Sequence, residues 1–172
     1  ILSVLPFLES NNIPFTVSPC TRLTNEGMGV RDKVCFIMAH YSDHELLAWV
    51  RNNCDFPEEI LEKYIQIKVP DDINAKTEAL NFYRFSKTPD ISNERLEEEL
   101  INPLYETLPD SIKQRYKEEH PYLSWQDLRK LKDNPLVSIA NHGHNHYDMS
   151  SISLRKVIDD IEKCNNLIRA EL

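Results

Sequence analysis

An α/β fold interrupted by a long helical insertion is what the sequence predicts, and three patterns carry that reading. A helix-then-strand pattern opens the chain within about residues 1–36. A helix, strand, polar loop and helix close it over about 121–172, and charged, long-side-chain segments of helical spacing fill about 40–120. Helices alternating with short apolar strands place functional groups at strand carboxyl ends, which directs attention to the closing segment.

In chain order, Ile1, Leu2, Val4, Leu5, Phe7 and Leu8 form a helix-like apolar set that ends at Ser10-Asn11-Asn12 and keeps Pro6 in an early turn. Ile13 to Ser18 is short, β-branched and bounded by prolines, so it predicts a strand. The middle stretch breaks into DHELLAWVRNN, PEEILEKYIQI, DDINAKTEALNFYRF, NERLEEELINPLYETL and PDSIKQRYKEE. Several of these begin on Asp, Ser or Pro start signals, and their spacing has no fixed period. Ser124 caps a short helix with Trp125, Leu128 and Leu131 on one face, which Asp133-Asn134-Pro135 stops. Leu136 to Ala140 then predicts a buried parallel strand that delivers the chain into NHGHNHYD. Ser153 caps a last helix with Leu154, Val157, Ile158, Ile161, Cys164 and Ile168 on the buried stripe.

Composition narrows the function. The chain has 172 residues, 20 Lys+Arg against 28 Asp+Glu and a formal net charge of −8, with no run of basic residues, so nucleic acid is excluded as a partner. A chain of this length buries about two thirds of its unfolded surface, so it needs no disulfide or structural metal, and any bound metal is functional. Gly27, Gly29 and Gly143 are the only glycines, too few for a P-loop or a GxGxxG turn. No segment reaches the length of about 20 apolar residues that a membrane span needs. Cys20, Cys35, Cys54 and Cys164 form no CxxC and read as reduced thiols, which leans toward a cytoplasmic compartment and leaves export open. The opening ILSVLPFLES lacks an initiator Met, a basic n-region and a cleavage site, which predicts a native amino terminus upstream of Ile1.

Three of the six histidines, His142, His144 and His146, fall within five residues directly after the apolar strand. Neutral imidazole is the commonest protein ligand for metals, and histidines on a loop fixed by a strand can converge on one ion. In an extended backbone all three would share a face, whereas in a helical turn only the i, i+4 pair His142 and His146 would meet. Gly143, inside the cluster, permits a backbone conformation or a close approach that other residues resist.

The segment LVSIANHGHNHYDMSSISL resembles the second motif of the polysaccharide deacetylase family, the NodB-homology or carbohydrate esterase family 4 domain. That motif is a strand followed by His-[Ser/Thr]-x-x-His-Pro-Asp/Asn-Leu and a Leu-Ser helix start. His142 and His146 match the family histidines, Asp148 and Met149 the polar-then-apolar pair, and Ile152-Ser153 the helix start. LSWQDLRKL is similar to the helix before that strand, and SVLPFLESNNIPFTV to the helix and second strand after the family's first motif. The likeness is specific over about 120–170, weaker over about 1–35 and diffuse between. Gly143 replaces the usual Ser or Thr, and Tyr147 the usual Pro.

The resemblance implies part of a distorted (β/α) barrel, the central portion only. It also implies a divalent metal, zinc foremost, held by His142 and His146, and hydrolysis of N-acetyl or O-acetyl groups on a carbohydrate. The family's Thr-Phe-Asp-Asp-Gly motif, which supplies the general base and third ligand, is absent and would precede Ile1. The motifs that supply the general acid and the sugar pocket would follow Leu172, so no catalytic residue is assigned and His144 stays outside the ligand set. Asp71-Asp72 reads as a helix start in the insertion, His40 and His44 as surface residues, and Glu97-Glu98-Glu99 as a solvated helix face. Three alternatives stay open: a degenerate glycan- or partner-binding member of the same fold, a different metal-dependent hydrolase using the His142-x-His144 pair, and an all-α interaction module.

Overall fold

Pro6 sits in the first turn of helix α1 (Leu5–Ser10), where a missing N–H costs nothing because no helical acceptor would reach it. The computed structural model describes residues 2–26, 28–68, 77–119 and 122–172, so Asp71 and Asp72 lie outside the described residues. The chain divides into two compact units, one formed by Ile1–Gly27 with Lys117–Leu172 and the other by Met28–Tyr116.

In the first unit, strand β1 (Phe15–Val17) follows α1, and helix α2 (Leu23–Glu26) comes next. The second unit opens with α3 (Val30–His40) and α4 (Asp43–Asn53). Ser42 Oγ accepts from the Glu45 amide, and the Glu45 carboxylate accepts from the Ser42 N–H, which caps α4 at both groups. Helix α5 (Glu58–Leu61) passes through a 3-10 turn into β2 (Ile65–Lys68), which pairs antiparallel with β3 (Thr77–Leu80), Ile65 facing Leu80. This hairpin corrects the helical reading of 65–67 and 77–80. Ile65-Gln66-Ile67-Lys68 alternates apolar and polar with period two, and β-branched isoleucines favour the pleated backbone.

Helices α6 (Phe82–Phe85), α7 (Asn93–Leu96), α8 (Asn102–Glu106) and α9 (Asp110–Glu119) follow. Between α7 and α8 the backbone winds as a π-helix over Glu97–Ile101. Glu97 is buried beside Leu96, Leu100 and Ile101, which corrects the solvated face expected of it, whereas Glu98 and Glu99 are exposed as the sequence predicts. Ile37, Leu46, Leu80, Phe85, Leu100 and Leu104 stand at the centre of this unit's core.

Back in the first unit, helix α10 (Trp125–Lys132) is capped as expected. Ser124 Oγ accepts from the Asp127 amide, and Asp127 Oδ2 accepts from the Ser124 N–H at 3.1 Å. Its apolar face, Trp125, Leu128 and Leu131, packs with Val17 of β1 and with the partly buried Leu5, Val137 and Ile168. Each such fully buried side chain contributes roughly 1.5–3 kcal/mol. Strand β4 (Val137–Ile139) runs parallel to β1 in the register Phe15 to Val137, Thr16 to Ser138 and Val17 to Ile139. Val137 and Ile139 are half-buried, less than the buried parallel strand that the sequence predicts, and β4 has one neighbouring strand among the described residues.

The last helix, α11 (Leu154–Glu171), starts at Ser153 as predicted, but its buried face differs. Asp160 and Cys164 are buried, whereas Leu154, Ile158 and Ile161 are exposed, Leu154 at 74%. Val157, Cys164 and Ile168 of the expected stripe stay on the covered side, but Asp160 joins them there in place of Leu154, Ile158 and Ile161. Among the described residues no helix is long and apolar enough to cross a membrane.

Candidate metal centre

Parallel β1 and β4 end on the same side, and two loops leave them there. Residues 18–22 follow Val17, and residues 140–148 follow Ile139 with a 2.9 Å hydrogen bond from the Ala140 N–H to the Val17 carbonyl. The loops grip one another through backbone and short side chains. Thr21 N–H donates to the Gly143 carbonyl, Arg22 N–H to the His144 carbonyl at 3.1 Å, and the Cys20 thiol to the same carbonyl at 2.9 Å. Burial pushes the Cys20 thiol up from its ordinary range, which keeps it protonated and a donor.

Within this frame the structure brings His142 and His146 together. Their Nε2 atoms lie 3.1 Å apart, and their rings are tilted by 47° with centroids 4.9 Å apart. Both side chains are exposed at the strand end. At this separation one neutral imidazole donates its Nε2–H to the other's Nε2, and the same spacing is close to that of two ligands on one ion. Two nitrogens about 2.0–2.1 Å from one tetrahedral ion stand roughly 3.3 Å apart. The pair therefore fits two corners of such a site. His146 adopts φ 60°, a left-handed conformation that side-chain-bearing residues avoid at a cost of order 1–3 kcal/mol.

His144 points elsewhere. Its Nδ1 lies 2.9 Å from Thr21 Oγ1, and its ring is half-buried. Among the described residues no third His, Cys, Asp or Glu joins the pair to complete a three-ligand group. His40 and His44 lie on the surface, His44 Nδ1 meeting the Glu78 carbonyl at 3.2 Å and His40 packing edge-on to Tyr41.

The rest of the loop is held from α11 and by its own side chains. Asp160 Oδ2 accepts from the His144 N–H at 2.7 Å, and Oδ1 accepts from the backbone and side-chain N–H of Asn145, both at 2.9 Å. Asn141 Oδ1 accepts from the Gly143 N–H at 2.6 Å, while its Nδ2 donates to the Ile161 carbonyl and to Asn165 Oδ1. Asp148 Oδ1 accepts from the amide and hydroxyl of Ser150, which hold its carboxyl below the usual carboxylate range and start the 3-10 turn Met149–Ser151. Sequence reasoning missed Asp160 and Asn141. The signal for Asp160 was a carboxylate three residues after Val157 and four before Cys164, on the face those two define.

Comparison with known proteins bears on this segment. The polysaccharide deacetylase family model matches residues 106–172, about two fifths of the chain, including the histidine loop and the helices on either side of it. No curated protein and no solved structure matches the chain.

Proposed function

We propose, from the polysaccharide deacetylase match over residues 106–172, that this chain contributes the histidine half of a metal-dependent carbohydrate deacetylase centre. The family match supports an enzyme acting on carbohydrate. The single observation that carries the finer reading is the 3.1 Å approach of His142 and His146 Nε2 at the carboxyl end of the parallel pair β1 and β4. In that reading β1 and β4 are two neighbouring strands of a (β/α) barrel, whose sites lie at this end.

His142 and His146 would hold the divalent cation through Nε2 as neutral ligands, zinc foremost, and a His₂-carboxylate set also suits neighbouring first-row metals. When bound, the cation supplies Lewis acidity toward an acetyl carbonyl and toward water. The chain's own residues then have defined tasks. The loop bonds from Thr21, Arg22 and Cys20 keep the 143–144 backbone against β1, and the left-handed turn at His146 aims its ring back at His142. The substrate class is an acetylated amino sugar or an O-acetylated carbohydrate, and acetate is the common product.

Metal analysis and acetate release from an N-acetylated glucosamine oligomer, compared among the parent chain, His142→Ala and His146→Ala, test this reading. The expected result is metal retained by the parent, lost from both variants, and acetate release that follows the metal. A parent that binds no divalent metal overturns the catalytic reading.

A further inference from the structure

We propose that Asp160 is the positioning residue of the histidine centre: its carboxylate sets the separation of His142 and His146 by clamping the backbone between them. The inference rests on the metal reading of that pair. Asp160 lies on α11, is 6% exposed, and directs both oxygens at the loop. His144 N–H, Asn145 N–H and Asn145 Nδ2–H converge on it at 2.7, 2.9 and 2.9 Å. These donors are the middle of the His-x-x-x-His span, and Asn145 directly precedes the left-handed His146. A charged acceptor makes stronger bonds than a neutral one, and three of them can offset a strained turn that the loop alone would not keep.

Gly143 gives independent support for the close approach. A Cβ at that position would stand 2.7 Å from Asp160 Oδ2, and the backbone there has φ 81°. Only glycine lets the carboxylate sit this near the loop while the chain makes the turn. The departure from Ser or Thr at position 143 and the placement of Asp160 are thus one device. Asparagine cannot replace it, because Asp160→Asn leaves one oxygen as acceptor and turns an amide N–H₂ toward a backbone or side-chain donor. Residues that orient metal ligands typically matter by 10–100-fold in affinity.

The test uses Co²⁺ as the probe on the whole chain, comparing the parent with Asp160→Asn, Asp160→Ala, Asn145→Ala and, as a neighbour exposed on the same helix, Asp159→Asn. Visible absorption is read during titration and at saturation, and amide exchange at His144 and Asn145 is read in the metal-free protein. Both Asp160 variants should weaken Co²⁺ binding by about 10–100-fold, shift the absorption bands at saturation and unprotect the two amides, while Asp159→Asn changes nothing. A merely structural role would lower the melting temperature and leave the bands of bound Co²⁺ unchanged, which overturns the proposal. Where Asp160→Asn does not fold, Asn145→Ala decides, since it removes one side-chain bond: a several-fold loss supports the clamp and unchanged binding overturns it. A parent that binds no Co²⁺ defeats the metal reading, whereas a parent that binds it as tightly as Asp160→Asn defeats only the clamp.

Discussion

The two units of the chain achieve order by different physical means. The unit of residues 28–116 closes around a continuous apolar cluster in which Phe82, Phe85, Leu100 and Leu104 are almost wholly removed from water. The unit that carries the histidines has a smaller cluster on α10 and β1, and leaves Phe7 and Leu154 largely exposed. Its loop over 141–148 is fixed by hydrogen bonds to Asp160, Asn141 and the 20–22 segment instead. Burial is non-directional and tolerates adjustment, whereas hydrogen bonds specify position, and holding two imidazoles 3.1 Å apart needs position more than bulk stability. One unit should therefore respond to lost volume, and the other to lost donors, acceptors and backbone freedom.

The largest expected effect tests the first half of that contrast. Phe85→Ala removes an aromatic ring from the packed unit, where it meets Phe56 and Tyr64 edge-on, and should cost about 3–5 kcal/mol in denaturant unfolding. A loss under about 1 kcal/mol would show that this unit is not held by its core.

Next in size is Gly143→Ala, which adds one methyl group and deletes no contact. The added Cβ meets the Asp160 carboxylate on a backbone at φ 81°, so a loss of about 1–3 kcal/mol is expected in the melting of the metal-free protein. Stabilisation, the usual result of Gly→Ala at compatible positions, would break the comparison.

Ser124→Ala should cost about 1 kcal/mol through the cap of α10. Its pH dependence has a defined sign. The Ser124 hydroxyl and amide hold the Asp127 carboxyl below its usual range, so the contribution is complete above the unfolded value of about 3.9 and disappears as pH falls through the lower folded value. The stability gap between parent and variant, measured by thermal unfolding, should narrow below about pH 4.

The smallest effect is on α11. Leu154→Lys should change stability by no more than about 0.5 kcal/mol, because Leu154 is 74% exposed. A loss of 2 kcal/mol or more, about that of a buried leucine, would restore the stripe that the sequence suggests.

These residues also show what the sequence could and could not convey. Local signals were legible. Ser42, Ser124 and Ser153 start helices, Pro6 sits in a first turn, Asp133-Asn134-Pro135 ends α10, and β1 and β4 fall within the apolar runs expected of them. The meeting of His142 and His146 was one of two arrangements their spacing allowed, and the resemblance pointed to that pair. What failed depends on partners that spacing cannot name. Periodicity along α11 gives apolar faces without saying which side another element covers, so Ile158 and Ile161 were expected inside and Asp160 was passed over. Ile65 to Lys68 is too short for its period of two to outweigh the helical residues before it, and only pairing with Thr77 to Leu80 makes it a strand.

The central claim is that His142 and His146 share one divalent ion. Isothermal titration of the whole chain with Zn²⁺, beside His142→Ala and His146→Ala, tests it most directly. The account predicts one ion per parent chain and loss of that binding in each single variant, since either imidazole alone leaves one protein ligand from this pair. Equal Zn²⁺ binding by the parent and both variants would contradict it, leaving the 3.1 Å approach as a hydrogen bond between two histidines and nothing more.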